Sequence, residues 1–463
     1  MQTVLQFGAG VFLRGFVDWI FQIMNEEGIV HSEVIVIKPT SRGNYTLLSE
    51  QKGCYHIWFA GLKNGKIIEE IKKIDCIKSV INPYENIKTF FNTAKVDSVR
   101  LVVSNTTEAG IYFNPAEEWD RISDSFAGKL TQWLYHRFEH FQGDPKKRIT
   151  VLPCELVEDN GRILKEMVIS YTEHWNLGKQ FANWNENNRF CSTLVDRIVP
   201  GDLSKRERDE IRMRKGIEDP LLIKAEPYHL WAIESPSGIT DIFPNIPDTL
   251  NIHITPDILS FREKKLRILN GSHTALVPVA YLLGARTVFE ATEDALLMKY
   301  LNQVIYNEIL PVIYLDHSEL EDYAQRVLER FRNPFIHHRL IDIVSSSLAK
   351  FKIRLLPLWH RYYDKQREFP PLITFSMAAL ILFYRGIWAG APIPLNDDPN
   401  KIRILQDGWN QDMRAMLPGI LKELWSIDEE TNEGITGWLI EKISVLKSDA
   451  RKALEMTLNS NTL

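Results

Sequence analysis

The sequence predicts an α/β region followed by an all-helical one, and three observations carry this expectation. Up to about residue 255, short β-branched runs alternate with helical stretches, the pattern of an open, mostly parallel sheet. The first strand runs straight into Gly8-Ala9-Gly10 and then into a helical segment. Beyond about residue 258 strands vanish and long amphipathic segments follow one another. Pro256 and Asp257 stand at the change of pattern and suit a turn that opens a helix, so the expected domains are 1–256 and 257–463.

Taken in order, the expected strands are Thr3–Phe7, Val34–Ile37, Arg100–Val103, Arg148–Leu152, Tyr228–Ile233 and Ile252–Thr255. Between them, Val11–Asn25 and Phe126–Phe141 space apolar residues three and four apart, as helices do. The second half reads as helices over Lys299–Ile313, Glu319–Phe331, His338–Tyr363, Leu372–Ile387 and Gly437–Leu458.

Composition excludes several classes. A chain of 463 residues exceeds one ordinary domain, and its 55 Lys and Arg against 60 Asp and Glu leave a net charge of −5, which argues against a nucleic-acid partner. The longest apolar run, Phe375–Tyr384, is half a bilayer span, so no membrane partner is expected. Met1-Gln2-Thr3 leads into a strand without a basic and apolar leader, so the cytoplasm is the expected compartment. The four cysteines are scattered with no C-x-x-C, and no Cys/His ligand spacing appears; neither a disulfide framework nor a metal site is expected.

A strand, glycine loop and helix at the start of an α/β unit point to dinucleotide binding in a Rossmann-like domain. Glycines let the backbone approach a pyrophosphate, whose charge is favoured by the free N–H groups of the helix start. The candidate cofactor residues are Gln6, Phe7, Gly8, Ala9, Gly10, Val11, Phe12, Leu13 and Arg14. The third glycine of G-x-G-x-x-G is missing, since Leu13 stands there, and a tight structural turn is the alternative. The second strand ends in Lys38-Pro39 rather than in the acid that holds an NAD ribose, which favours NADP or is uninformative. After the third expected strand comes Asn105-Thr106-Thr107-Glu108, a polar loop at a carboxyl edge where ligands of open sheets bind; a capped turn explains it nearly as well.

The most informative stretch is Lys264–Val277. On a helix, Leu266, Leu269, His273, Leu276 and Ala280 form one stripe, so His273 and Asn270 lie on or beside the inward face. A lone His there is usually a satisfied core residue, but Lys265 and Asn270 supply what carbonyl reduction requires. A desolvated Lys exchanges protons near neutrality, and an Asn amide binds an oxygen becoming alkoxide. One difficulty is that a straight helix sets Lys265 and His273 about 12 Å apart along its axis.

Lys265-x-x-x-x-Asn270-x-x-His273 resembles the signature of the metal-independent long-chain polyol dehydrogenase family, which includes mannitol dehydrogenases and uronate reductases. Supporting blocks are LQFGAGVFLRGFVDW from Leu5, VVSNTTEAGI from Val102, LPCELVEDNG from Leu152, FCSTLVDRIV from Phe190, LNGSHTALVPVAYLLG from Leu269, RFRNPFIHH from Arg330 and FYRG from Phe383. The resemblance implies reversible reduction of the hexuronate D-tagaturonate to D-altronate with NAD as cofactor. Lys265 would be the general acid/base, Asn270 the oxyanion donor, and His273 would orient substrate or lysine. Asn105–Glu108 would lie near the nicotinamide. Asp196 and Arg197 match the family's V-D-R-I block and are expected to face substrate, with a structural salt bridge as the competing account. Cys154-Glu155-Leu156 replaces the C-D-N of mannitol dehydrogenases and moves the chain toward the uronate branch, whose members also carry a basic residue before the proline at 39. A uronate needs a cationic partner, for which Lys350, with Lys352 and Arg354 close by, is the candidate. The alternatives are a fructuronate- or mannitol-type enzyme, and a cofactor-sensing protein without chemistry.

Overall fold

A computed structural model describes residues 1–106, 110–201, 203–427 and 429–460, with backbone alone for 429–433 and 460. It divides into two compact units, Met1–Leu259 and Ser260–Leu463.

In chain order the strands of the first unit are β1 (Gln2–Phe7), β2 (Ser32–Ile37), β3 (Tyr55–Lys63), β4 (Lys66–Ile74), β5 (Ile77–Ile81), β6 (Val99–Ser104), β7 (Thr150–Pro153), β8 (Arg189–Phe190), β9 (Thr193–Asp196), β10 (Ile223–Ala225), β11 (Leu230–Glu234) and β12 (Ile252–Thr255). Six form an all-parallel sheet in the order β5-β2-β1-β6-β7-β8. By position in the chain this is 3-2-1-4-5-6, the doubly wound Rossmann order, which reverses direction between β1 and β6. Alternation along each strand feeds both faces. Val4, Val34, Val36, Leu101 and Val103 pack with residues of the helix Val17–Glu26, while Leu5, Phe7, Ile37, Val102 and Val151 pack with those of Phe126–His140 and Asn160–His174. Helices on both faces explain why these strands read as unbroken apolar runs.

The hairpin β3–β4 is absent from the strands the sequence predicts. Lys66, Glu69, Glu70, Lys72 and Lys73 make β4 too charged to read as a core strand. The available signal is Asn64-Gly65, both at positive φ (54° and 71°), the two-residue turn whose twist matches a hairpin. The helix expected over Val11–Asn25 is broken into Val11–Gly15 and Val17–Glu26. At the break, side chains take the carbonyls a helix would use internally. Tyr55 O–H donates to Arg14 O at 2.9 Å, and Arg197 Nη1 to Gly15 O at 2.8 Å.

Tyr55 O–H also lies 2.9 Å from Oδ2 of Asp18, whose burial pushes its carboxyl from an ordinary 3.8 up to about 7. The folded chain therefore holds a proton between those values that the unfolded chain has released. Stability accordingly falls as pH rises from about 4 to about 7 and stays at the lower level above. Asp18→Asn removes this component, so differential scanning fluorimetry is expected to show a smaller drop in Tm between pH 5 and pH 8 than in the wild type.

The second unit is helical around one apolar core. Its chain breaks more often than the sequence predicts. His338–Tyr363 splits into Leu340–Ile343, Ser347–Arg354 and Leu356–Gln366: Ser346 takes a left-handed φ of 56°, and Pro357 lacks the N–H that would continue the helix. Arg267 Nη1 caps the carbonyls of Ile353 and Arg354 that the break exposes. Lys299–Ile313 is an α-helix to Gln303 followed by a π turn, Val304–Ile309, and a 3₁₀ turn. Gly437–Leu458 divides at Asp449, whose Oδ1 accepts the Lys452 N–H at 2.9 Å. Strands do not vanish entirely: Ile387–Trp388 pairs with Ala391–Pro392 through Ala389-Gly390, both at positive φ. Among the described residues no helix is long and apolar enough to cross a membrane.

Candidate active site

In the first unit the glycine loop leaves β1 at the sheet's reversal point. Gly8 has φ +112°, which L side chains rarely adopt, and a Cβ there would meet Leu13 Cδ1 at 3.4 Å and Asn105 O at 3.5 Å. Leu13, at the position of the motif's missing third glycine, thus packs beneath Gly8 as part of the apolar core. Gly10 is exposed, and a Cβ added there would meet nothing within 4 Å, so the loop's outer side is open to a ligand.

The expected cofactor residues divide by this geometry. Gly8, Ala9, Gly10, Val11 and Phe12 form the loop and its helix start, Phe12 stacking on Phe16 at 5.1 Å. Gln6 Nε2 donates to Gly8 O at 3.1 Å and braces the turn. The side chains of Phe7 and Leu13 point into the apolar core. Arg14, expected among the cofactor residues, is turned inward instead. It is buried, with Nε on Ala9 O at 3.2 Å and Nη1 on Leu221 O at 2.9 Å, and it supports the loop from within.

Beside the loop lies a cavity of about 590 Å³, at the carboxyl ends of β2 and β5, lined by Lys38, Gly43, Asn44, Tyr45, Thr46, Ser49, Val80, Asn82 and Glu85. Its volume is that of a small-ligand pocket. Ala9 N–H donates to the Tyr45 hydroxyl oxygen at 3.1 Å, joining the cavity to the glycine loop. Sequence reasoning missed Tyr45, Asn82 and Glu85, which come from loops without a motif. A glycine loop open at Gly10 next to a pocket at a doubly wound sheet's carboxyl edge fits a dinucleotide.

At the other side of the reversal point, Asn105 N–H reaches Phe7 O at 3.4 Å, and Asn105 Nδ2 donates to Cys154 O at 2.9 Å. Thr106 is held by Glu155, whose Oε1 accepts from Thr106 N at 2.9 Å and Oγ1 at 3.0 Å while Oε2 accepts from Ser104 Oγ at 3.1 Å. Glu155 is thus the organiser of this loop, a role its place in the Cys154-Glu155-Leu156 block does not reveal; burial pushes its carboxyl up against those bonds. Leu156 is exposed. Thr107 and Glu108 lie outside the described residues.

Asp196 and Arg197 end β9 and start the next loop, both buried. Arg197 faces the interior instead of a ligand. Its guanidinium donates to the carbonyls of Gly15 (2.8 Å), Tyr228 (3.1 Å) and Pro227 (3.3 Å) and lies 4.2 Å and 4.8 Å from the ring centres of Trp19 and Phe59. One planar fork thus ties two segments far apart in the chain, Gly15 and the adjacent pair Pro227 and Tyr228.

In the second unit, Lys264–Leu269 is a π turn leading into the helix Asn270–Leu282. Asn270 N–H donates to Lys265 O, five residues back. At about 100° per residue an α-helix would set Asn270 roughly 140° around from Lys265. The wide turn instead closes its ring over five residues and places Lys265 and Asn270 on one side, with His273 three residues further on the same face. Lys265 and Asn270 are half-buried and His273 is buried. The imidazole lies flat on Phe331, centroids 4.0 Å apart and planes at 17°, with His338 edge-on at 5.5 Å. Burial, then His338 and the cations Arg330, Arg354 and Lys350, hold His273 well below the usual histidine range, so it is neutral at physiological pH. Lys350, Arg330, Arg354 and His338 thus all act on His273, although the sequence separates them from it by up to 81 positions. Lys352 points away, with its Nζ on Ser426 Oγ at 3.2 Å.

Comparison with known proteins assigns residues 2–243 to the mannitol dehydrogenase Rossmann domain and residues 257–436 to the mannitol dehydrogenase C-terminal domain. Altronate oxidoreductase from Phocaeicola vulgatus is 40% identical over 88% of this chain and 86% of its own length. The protein of that name from Halalkalibacterium halodurans is 36% identical over 99% of this chain and 93% of its own. Among solved structures, a substrate-free D-sorbitol dehydrogenase matches with a TM-score of 0.82 at 18% identity, covering 97% of this chain and 94% of that one. Pseudomonas fluorescens mannitol 2-dehydrogenase, in ternary complex with NAD and D-mannitol, matches with a TM-score of 0.71 at 20% identity, covering 99% and 94%. The chain belongs to the mannitol dehydrogenase family.

Proposed function

We propose that this chain catalyses the reversible, NAD-dependent reduction of D-tagaturonate to D-altronate. It is an oxidoreductase acting on a CH–OH group, with a small hexuronate as partner and the cytoplasm as its place of work. The observation that carries the reading is the π turn that gathers Lys265, Asn270 and His273 on one face. The identity to altronate oxidoreductases over most of the chain supports the substrate.

NADH, when bound, would supply the hydride for the ketone carbon. Lys265 donates a proton to the carbonyl oxygen as charge develops there, and takes it back in the oxidative direction. The Asn270 amide donates a hydrogen bond to the same oxygen and favours the alkoxide-like transition state. His273 stays neutral and clamped on Phe331, so it directs a hydroxyl or the lysine rather than carrying the proton. The loop Gly8–Gly10 would hold its pyrophosphate, and the cavity beside Tyr45 its adenosine. Glu85 lines that cavity together with Lys38 and offers a carboxylate that the end of β2 lacks.

Following NADH or NADPH oxidation with tagaturonate, fructuronate and fructose tests the proposal. Tagaturonate is expected to have the highest kcat/KM, NADH the lower KM, and EDTA no effect. Equal or faster turnover of fructuronate or fructose overturns the substrate; cofactor binding without turnover of any of them leaves only a sensor.

A further inference from the structure

Among the described residues, none of the three cations on the helix Ser347–Arg354 is in an ion pair, and two of them, Lys350 and Arg354, act on His273. Lys350 and Arg354 are four residues apart and so share a face of that helix, which packs against Asn270–Leu282. Lys350 Nζ donates to the carbonyl of Ile343 at 2.8 Å, and Arg354 Nη1 to Thr274 Oγ1 at 3.2 Å. Both are half-buried. Neighbouring cations behave otherwise: Arg267 and Arg361 share Glu263, Lys264 holds Glu319, and Arg339 holds Asp342. Asp397, the acid that acts on Lys350 from a distance, is already engaged by Leu348 N–H and Tyr384 O–H.

Partly desolvated like charges side by side are costly unless something supplies the opposite sign. The cost is visible in both groups. Burial and the neighbouring Arg354 hold Lys350 below the usual lysine range, and burial alone lowers Arg354 to about 10. Both cations act on His273, and Arg354 reaches the candidate catalytic segment through Thr274, whose Oγ1 donates to Asn270 O at 2.8 Å.

We propose that Arg354, assisted by Lys350, is the carboxylate-recognising group of this enzyme and selects a uronate over a neutral ketose of the same length. The inference rests on the uronate reading above and adds the residue that enforces it. A planar guanidinium with one arm fixed by Thr274 keeps its remaining donors for a carboxylate, which it meets in a two-pronged geometry that a hydroxymethyl group cannot match.

The test compares Arg354→Met, Arg354→Lys and Lys350→Met with the wild type. D-tagaturonate is the uronate probe. A neutral 2-ketohexose, with a hydroxymethyl where the uronate has its carboxylate, is measured as substrate or competitive inhibitor. Removing a charged hydrogen bond to the ligand is expected to reduce the uronate-to-ketose ratio of kcat/KM, or of affinity, about 100-fold in Arg354→Met, mostly through KM. About 10-fold is expected in Lys350→Met, with Arg354→Lys in between. Tm in Arg354→Met is expected to hold or rise, since an uncompensated cation is removed. A proportionate loss for both ligands, or a Tm lowered by several degrees with an unaltered ratio, overturns the proposal and makes Arg354 structural. Wild-type enzyme that turns over no uronate takes down the proposed function and this inference together, whereas good uronate turnover with an unaltered ratio in Arg354→Met removes this inference alone.

Discussion

Lys265→Ala is expected to lower kcat for tagaturonate reduction by about 10³-fold, within the 10²–10⁴ that a positioned general acid contributes. NADH affinity, read from nicotinamide fluorescence, is expected to stay within twofold, because the glycine loop and the Tyr45 cavity belong to the other unit. The loss separates chemistry from binding. If Lys265 served only to hold the substrate, KM would rise and kcat would largely survive. A proton donor also leaves a mark that a structural lysine does not, namely partial recovery of kcat by added primary amines of suitable pKa. Turnover that survives Lys265→Ala without such help would sink the assignment.

Arg197→Met is expected to cost about 3–5 kcal/mol of stability, with KM for tagaturonate near the wild-type value in whatever remains folded. The reason is the three buried carbonyls, of Gly15, Pro227 and Tyr228, that lose their donor together. Each unsatisfied group costs about 1–3 kcal/mol. An opposing effect is real: burial lowers the Arg197 guanidinium to about 9, so its removal relieves some strain on the charge. Three carbonyls and two aromatic contacts outweigh one desolvated cation, which leaves the net loss. For a unit of this size the loss corresponds to a fall in Tm of roughly 10 °C, measurable by calorimetry. A raised KM with unchanged Tm would restore Arg197 to the substrate.

Much of the fold is legible in the chain because local rules and tertiary rules agree there. Val34–Ile37 and Arg100–Val103 are β-branched runs that a doubly covered sheet needs, and the glycine loop follows the strand that must precede it. Legibility fails where a side chain from far away takes over a backbone bond. Arg197 and Tyr55 break the first helix, and Arg267 caps the break before Pro357; none of these partners is visible from the segment it interrupts. The charged strand β4 hides for a different reason, since its polar face leaves only the Asn64-Gly65 turn as a signal.

The candidate site shows the same division. The amino-acid order by itself determined the chemistry on offer: a lysine, an amide and an imidazole within nine residues, preceded by a nucleotide loop, in a chain whose mild charge of −5 leaves an anion to be met locally. Only tertiary structure decided how they are used. The π turn put Lys265 and Asn270 on one face, and packing of Phe331, His338, Lys350 and Arg354 around His273 made it neutral and left two cations outside any ion pair among the described residues. Periodicity reports which face of a helix is buried, but the protonation state of a group and the charge balance of a pocket depend on every element that closes around it.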